Sequence, residues 1–279
     1  MRRIASRQNP IVGRFRAAAR GDADGVILLD GVHLVDAALG AGISFLEAAL
    51  AAESVDEPDA RRLIDRLRPA GVDPIVVTAP VMAALSPVKS PSPVVALARR
   101  PDPRDDEFFD REAPLVIVAV GIQDPGNVGA IVRVAEAAGA AGVVVAGASA
   151  DPFGWKALRG SMGSALRIPI IVARDLPVRL PQNGRADGSR FRMLATAAGA
   201  HRSVFDADLT GPVAIFIGSE GSGLPRAVLD QADEVVSIPM EPSVESLNAA
   251  TSAAIIAYEA RRQRADSVAK VTKRPVGRG

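Results

Sequence analysis

The chain has 279 residues, 48% of them hydrophobic and 23% charged, with 33 Lys and Arg against 32 Asp and Glu; this suits a soluble globular protein of one large or two modest domains and excludes a wholly disordered chain. The near-neutral total hides a segregation: residues 1–20 hold six Arg and no acid, residues 261–279 hold seven basic residues against Asp266, and the remaining body carries 20 basic and 31 acidic side chains, net −11. Basic ends of this kind attract polyphosphate or are simply solvated tails, and the absence of Cys excludes disulfides, thiolate zinc sites and a Cys nucleophile.

Taken in chain order, GVILLDGVHLVDAALGAG (25–42) predicts a short strand and an Ala-rich helix, PDARRLIDRLRPAG (58–71) an amphipathic helix, and PIVVT (74–78) a strand. Together they make a small α/β unit. Prolines at 87, 91, 93, 101, 103 and 114 then enclose the charged run RRPDPRDDEFFDRE, a composition expected to hold no helix and bury no core. The expected domains are 1–98 and 113–265, with a linker at 99–112 and a basic tail at 266–279. Beyond the linker, LVIVAVG (115–121), GVVVAG (142–147), IPIIVA (168–173), RMLATAA (192–198), VAIFIG (213–218) and EVVSIP (234–239) read as strands buried on both faces. VGAIVRVAEAAGA (128–140) and LNAATSAAIIAYEARRQR (247–264) read as helices. Strands alternating with helices predict a parallel-sheet α/β fold whose ligands sit beyond the carboxyl ends of the strands.

Three of those strand ends carry small and polar residues. In GIQDPGNVGAIVR (121–133) the chain turns into a helix at Asn127, which is suited to capping it, and Arg133 interrupts an apolar stretch between Val132 and Val134. That flanking predicts a half-buried guanidinium in need of an anion; the plain alternative is a surface Arg beside Glu136. IFIGSEGSGLPRAVL (215–229) ends a strand in Gly218, Gly221 and Gly223 around Glu220, which allows backbone to approach a flat ligand. SIPMEPSVESLNAATSAA (237–254) puts Ser246 and Asn248 just before the long helix, where capping explains one of them. The only two histidines, His33 and His201, read as structural or surface residues, and there is no H-E-x-x-H motif, so no metal is expected. The dinucleotide fingerprint, the phosphate loop and the G-x-S-x-G elbow are also missing. No apolar run approaches the length of a membrane span, so a cytoplasmic protein is expected.

N-V-G-A-I-V-R (127–133), G-S-E-G-S-G-L (218–224) with I-P-M (238–240), and S-L-N (246–248) leading into a helix resemble the three ordered motifs of the SpoU or TrmH-type RNA 2′-O-ribose methyltransferases. S-R-Q-N-P (6–10) and D-G-V-H-L-V-D-A-A-L (30–39) are similar to the L30e-like substrate-binding domain that many of them carry. The resemblance implies a C-terminal trefoil-knotted α/β domain, S-adenosylmethionine as cofactor, a homodimer with its site near the interface, and an RNA substrate, with ribosomal RNA favoured and transfer RNA the alternative. It assigns cofactor contacts to Gly218, Ile238, Leu247 and Met240, and the catalytic shell to Asn127, Arg133, Glu220, Ser246 and Asn248. Within that shell Arg133 is expected to hold a phosphate and stabilise developing alkoxide, with Glu220 orienting Arg133 and Asn127. Two positions depart from the family pattern: Pro242, where Gly is common, and Ala249, where Val is usual. The competing readings are a non-catalytic RNA-binding or ribosome-assembly protein of the same fold, and an unrelated Rossmann-like enzyme.

Overall fold

The computed structural model describes residues 1–102, 113–176, 178 and 190–272; most of the expected linker and the last seven residues of the basic tail lie outside the described residues. The chain forms two compact units, Met1–Asp102 with Pro152–Arg167, and Pro103–Asp151 with Ile168–Gly279. A second domain running unbroken from 113 to 265 was the expectation, whereas residues 152–167 pack with the first unit.

The first unit is a five-stranded mixed sheet in the order β1-β4-β3-β5-β2, formed by β1 (Arg3–Ile4), β2 (Val26–Asp30), β3 (Phe45–Ala51), β4 (Ile75–Val77) and β5 (Val94–Arg99). Helices α1 (Pro10–Arg20), α2 (Val32–Gly40), α3 (Pro58–Leu67) and α4 (Ala79–Leu85) connect the strands. Each of α1, α3 and α4 opens with Pro in its first turn, where a missing N–H costs nothing. β5 corrects the expectation of a coreless Pro-rich segment. Its V-V-A-L-A run is buried, pairs antiparallel with both β2 and β3, and contains no proline. The prolines at 93 and 101 bound the strand instead of interrupting it. The carboxylate of Asp30, itself buried, accepts hydrogen bonds from Ser86 Oγ (2.6 Å) and Ser92 Oγ (2.9 Å), which tie down the loop between α4 and β5.

The second unit is a seven-stranded, wholly parallel sheet in the order β10-β12-β9-β11-β6-β7-β8. In chain order it comprises β6 (Leu115–Val120), α5 (Pro125–Ala138), β7 (Gly142–Ala146), β8 (Ile170–Ala173), β9 (Arg192–Thr196), β10 (Arg202–Ser203), β11 (Val213–Ile217), α7 (Arg226–Leu229), β12 (Glu234–Ser237) and α8 (Ala249–Thr272); α6 (Trp155–Ser161) lies in the segment given to the first unit. β6, β7 and β11 are buried along their whole length, as their unbroken apolar runs predict. Each fully buried Val or Ile there is worth roughly 1.5–3 kcal/mol. α5 packs against α8, and the guanidinium of Arg264 on α8 donates to the carbonyls of Leu209 (2.9 Å), Gly211 (2.8 Å) and Ala113. These carbonyls lie where β6 and β11 begin, so α8 is locked to the amino ends of the two central strands. The opposite, carboxyl ends of the strands are left for function.

Candidate functional site

α5 begins at Pro125, and its cap is Asp124, whose Oδ1 accepts from the N–H of Asn127 (3.0 Å). This corrects the sequence expectation that Asn127 caps the helix. Proline is favoured at the first helical position and so fixes the cap one residue earlier, at Asp124. Asn127, inside the first turn, keeps its amide free for other work. At the third corner Asn248 is the capping residue: its Oδ1 accepts from the N–H of Ala250 (2.9 Å) and Thr251 (3.2 Å). Capping therefore explains Asn248, and Ser246 lies elsewhere, on the wall of a cavity.

The corners meet at Glu220. Its Oε1 accepts hydrogen bonds from Asn127 Nδ2 (2.8 Å), Asn248 Nδ2 (2.6 Å) and the backbone N–H of Ala249 (3.1 Å). Asn248 Nδ2 donates also to Asn127 Oδ1 (3.0 Å). Residues 93 and 28 positions apart in sequence from Glu220 are thus joined in a closed triangle of two amides and one carboxylate. The carboxylate sits at the amino end of a 24-residue helix, where the partial positive charge of the helix favours an anion.

Next to the triangle is a cavity of about 460 Å³, within the size range of small-molecule sites. Gly218 and Glu220 from the β11 loop, Ile238 and Met240 after β12, and Ser246 and Leu247 before α8 all line it. Gly218 admits no side chain: an added Cβ would lie 2.3 Å from the Gly223 carbonyl carbon and 2.5 Å from Leu224 N. The loop folds back on itself there through a Gly223 N–H to Ser219 O bond of 2.9 Å. Sequence reasoning missed Thr196, Ala197 and Ala198 at the carboxyl end of β9, and Ser252 on α8, which also line the cavity. The first three carried a signal, since RMLATAA ends in small residues just as the other corners do. Another missed residue is Ser149. It accepts from Ile122 N–H (2.9 Å) and donates to Ala146 O (2.7 Å), pinning the turn that leads to Asn127.

The two departures from the family pattern fit this geometry. Pro242 follows Glu241 in a tight turn closed by Val244 N–H to Glu241 O (2.9 Å), a position that favours Pro and uses no N–H from it. Ala249 is buried and contributes its backbone N–H to Glu220.

Arg133 departs from the expectation of half-burial. It is exposed and has no hydrogen bond or ion pair among the described residues, and the carboxylate of Glu220 engages the two asparagines without it. The cause is helical phase. Val132 is fully buried and Val134 partly so, and at about 100° per residue the position between them turns outward, roughly 120° around α5 from Asn127.

A parallel α/β sheet with a nucleotide-sized cavity and a polar cluster beyond its strand ends defines a class of ligand-binding α/β enzyme domain. Residues 114–258 match the SpoU rRNA Methylase family. The chain is 34% identical over 266 residues, covering 93% of each chain, to an uncharacterized tRNA/rRNA methyltransferase of Synechocystis. It is 38% identical over 185 residues to a 23S rRNA (uridine(2479)-2′-O)-methyltransferase of Streptomyces viridochromogenes, covering 63% of this chain and 62% of that one. The solved structure of the SpoU methyltransferase AviRb from Streptomyces viridochromogenes, in complex with AdoMet, superposes with a TM-score of 0.81 at 31% identity, covering 92% of this chain and 99% of that one. The chain belongs to the SpoU rRNA methylase family, and its fold class is the α/β knot of that family.

Proposed function

We propose that the protein transfers a methyl group from S-adenosylmethionine to a ribose 2′-hydroxyl of ribosomal RNA. The observation that carries this reading is the convergence of Asn127, Glu220 and Asn248, from three separate strand ends, into one hydrogen-bonded triangle beside the cavity. The cavity suits the cofactor chemically. Ile217, Leu224 and Leu247 offer apolar wall to a flat base, Ser237, Ser246 and Ser252 offer hydroxyls, and Glu245 offers negative charge toward a cationic methionyl group. When bound there, S-adenosylmethionine supplies an electrophilic methyl on a sulfonium. The names of the related 23S rRNA methyltransferases favour ribosomal over transfer RNA.

The protein's part is chiefly positional. Holding two substrates in line converts a bimolecular encounter into an intramolecular one. Glu220 fixes the amide orientation of Asn127 and Asn248; Gly218, Ile238, Met240 and Leu247 hold the cofactor; and Ser246, on the same cavity wall, adds its hydroxyl. The guanidinium of Arg133 binds the phosphate beside the target sugar, stabilising charge that develops on the ribose oxygen. Because Arg133 is exposed and takes no part in the hydrogen bonds of the triangle in its own chain, we propose that it serves the site of a second copy in a homodimer. The first unit is read as an L30e-like substrate-holding domain, and the protein as cytoplasmic. Among the described residues no helix is long and apolar enough to cross a membrane, and no group of side chains is arranged to hold a metal.

Calorimetric titration with S-adenosylmethionine, paired with single-turnover assays, tests the reading. The wild-type chain should bind the cofactor, and Arg133→Ala should bind it within about twofold while losing turnover by roughly 100-fold or more. Absent cofactor binding, or an Arg133→Ala variant with full turnover, would contradict it.

A further inference from the structure

Residues 152–167 belong to the first unit although they lie in sequence between β7 and β8 of the second. Their inner side is firmly held. Phe153, Ala157, Leu158 and Ser161 are buried, and Arg100 stacks over the Phe153 ring at 4.6 Å. His33 Nε2 donates to Met162 O (3.2 Å), and Gly163, at φ +84°, lies so close to α2 that a Cβ would come within 2.7 Å of Ala37 Cβ. Packing on one side of α6 determines what the other side shows. Lys156 and Arg159, three residues apart and hence neighbours on one helical face, are both exposed.

The charge of this segment is unusual for a body that is net acidic: residues 152–167 contain Lys156, Arg159 and Arg167 and no Asp or Glu. Several other arginines of the first unit are paired within it, as Arg61, Arg62, Arg66 and Arg68 each meet an aspartate. Lys156 and Arg159 have no carboxylate partner among the described residues; Lys156 Nζ lies 5.5 Å from the Trp155 ring centre instead. A lipid surface would require the apolar side of α6, which is buried. A polyanionic chain requires only the exposed cations.

We propose that Lys156 and Arg159 form a phosphate-contacting face of the first unit that holds the backbone of the RNA substrate. This rests on the reading of the protein as an RNA enzyme, and it adds a contact surface to the basic first 20 residues. Each phosphate neutralised releases counterions and steepens the salt dependence of binding by about 0.7 for single-stranded and 0.9 for duplex nucleic acid.

The test measures binding of the full-length protein to protein-free 23S ribosomal RNA across a salt series. Relative to wild type, the Lys156→Ala/Arg159→Ala double variant should show a slope of log affinity against log salt shallower by about 1.4–1.8, with cofactor affinity unchanged. Arg61→Ala/Arg62→Ala, which removes two paired cations, should keep the wild-type slope. A wild-type slope in the Lys156→Ala/Arg159→Ala variant overturns the proposed face. Wild-type protein that fails to bind the RNA at any salt overturns the underlying reading as an RNA enzyme.

Discussion

Asn248 performs two tasks with one side chain: its oxygen caps α8 while its nitrogen joins Asn127 and Glu220. The two are separable by substitution. Serine caps a helix about as well as asparagine but offers no amide donors, so Asn248→Ser should leave the thermal midpoint nearly unchanged and lower turnover at least about tenfold. Asn248→Ala should lose both, with about 1 kcal/mol of stability gone with the cap. Thermal melts and initial rates on both variants check this, and an Asn248→Ser enzyme of wild-type rate would show that the amide bonds are dispensable. At this scale much was legible in the chain, because Gly218, Glu220, Ser246 and Asn248 sit in short motifs at strand ends. The direction of Arg133 was misjudged for a physical reason. Flanking valines report that a helix is apolar nearby, whereas burial depends on angular phase against α8 and the sheet, which only the packed structure fixes.

α8 is the element that binds the second unit together, with the triangle at its first turn and the Arg264 contacts toward its far end. Between them, buried Glu259 accepts from Arg262 Nε (2.9 Å) and Nη2 (2.7 Å) and from Gln263 Nε2 (2.8 Å). The Arg262 hydrogen bonds hold its carboxyl below the usual carboxylate range, against the opposing effect of burial. A carboxylate whose pKa is lowered by folding stabilises fully above its unfolded value, near 4.3, and loses that contribution as pH falls toward the folded value. The thermal midpoint of the wild-type chain should therefore drop more steeply below about pH 4 than that of Glu259→Gln; parallel curves would mean the carboxylate contributes nothing. Periodicity revealed the long buried strands and α8. It missed α6 and β5, because α6 is only seven residues long and follows directly on Gly154, and the prolines around β5 drew attention from the apolar run they enclose.

Over the whole molecule, acid is concentrated in the body and basic charge at the ends and on α6, which is the distribution a protein needs if it is to keep its own surface soluble and still hold a polyanion. The change in sequence texture falls near residue 100, and the first long break between the two units falls at residues 102 and 103. The return of residues 152–167 to the first unit was not readable, since tertiary packing and not composition decides which unit a segment joins. The central claim is that the cavity and the triangle beside it deliver a methyl group to a sugar oxygen. The most direct measurement incubates the protein with methyl-labelled S-adenosylmethionine and protein-free ribosomal RNA, then hydrolyses the RNA in alkali. Methylation of the 2′-oxygen blocks cleavage at the adjoining phosphodiester, so the account predicts label in an alkali-resistant dinucleotide; label confined to alkali-released mononucleotides, or no label transferred, would contradict it.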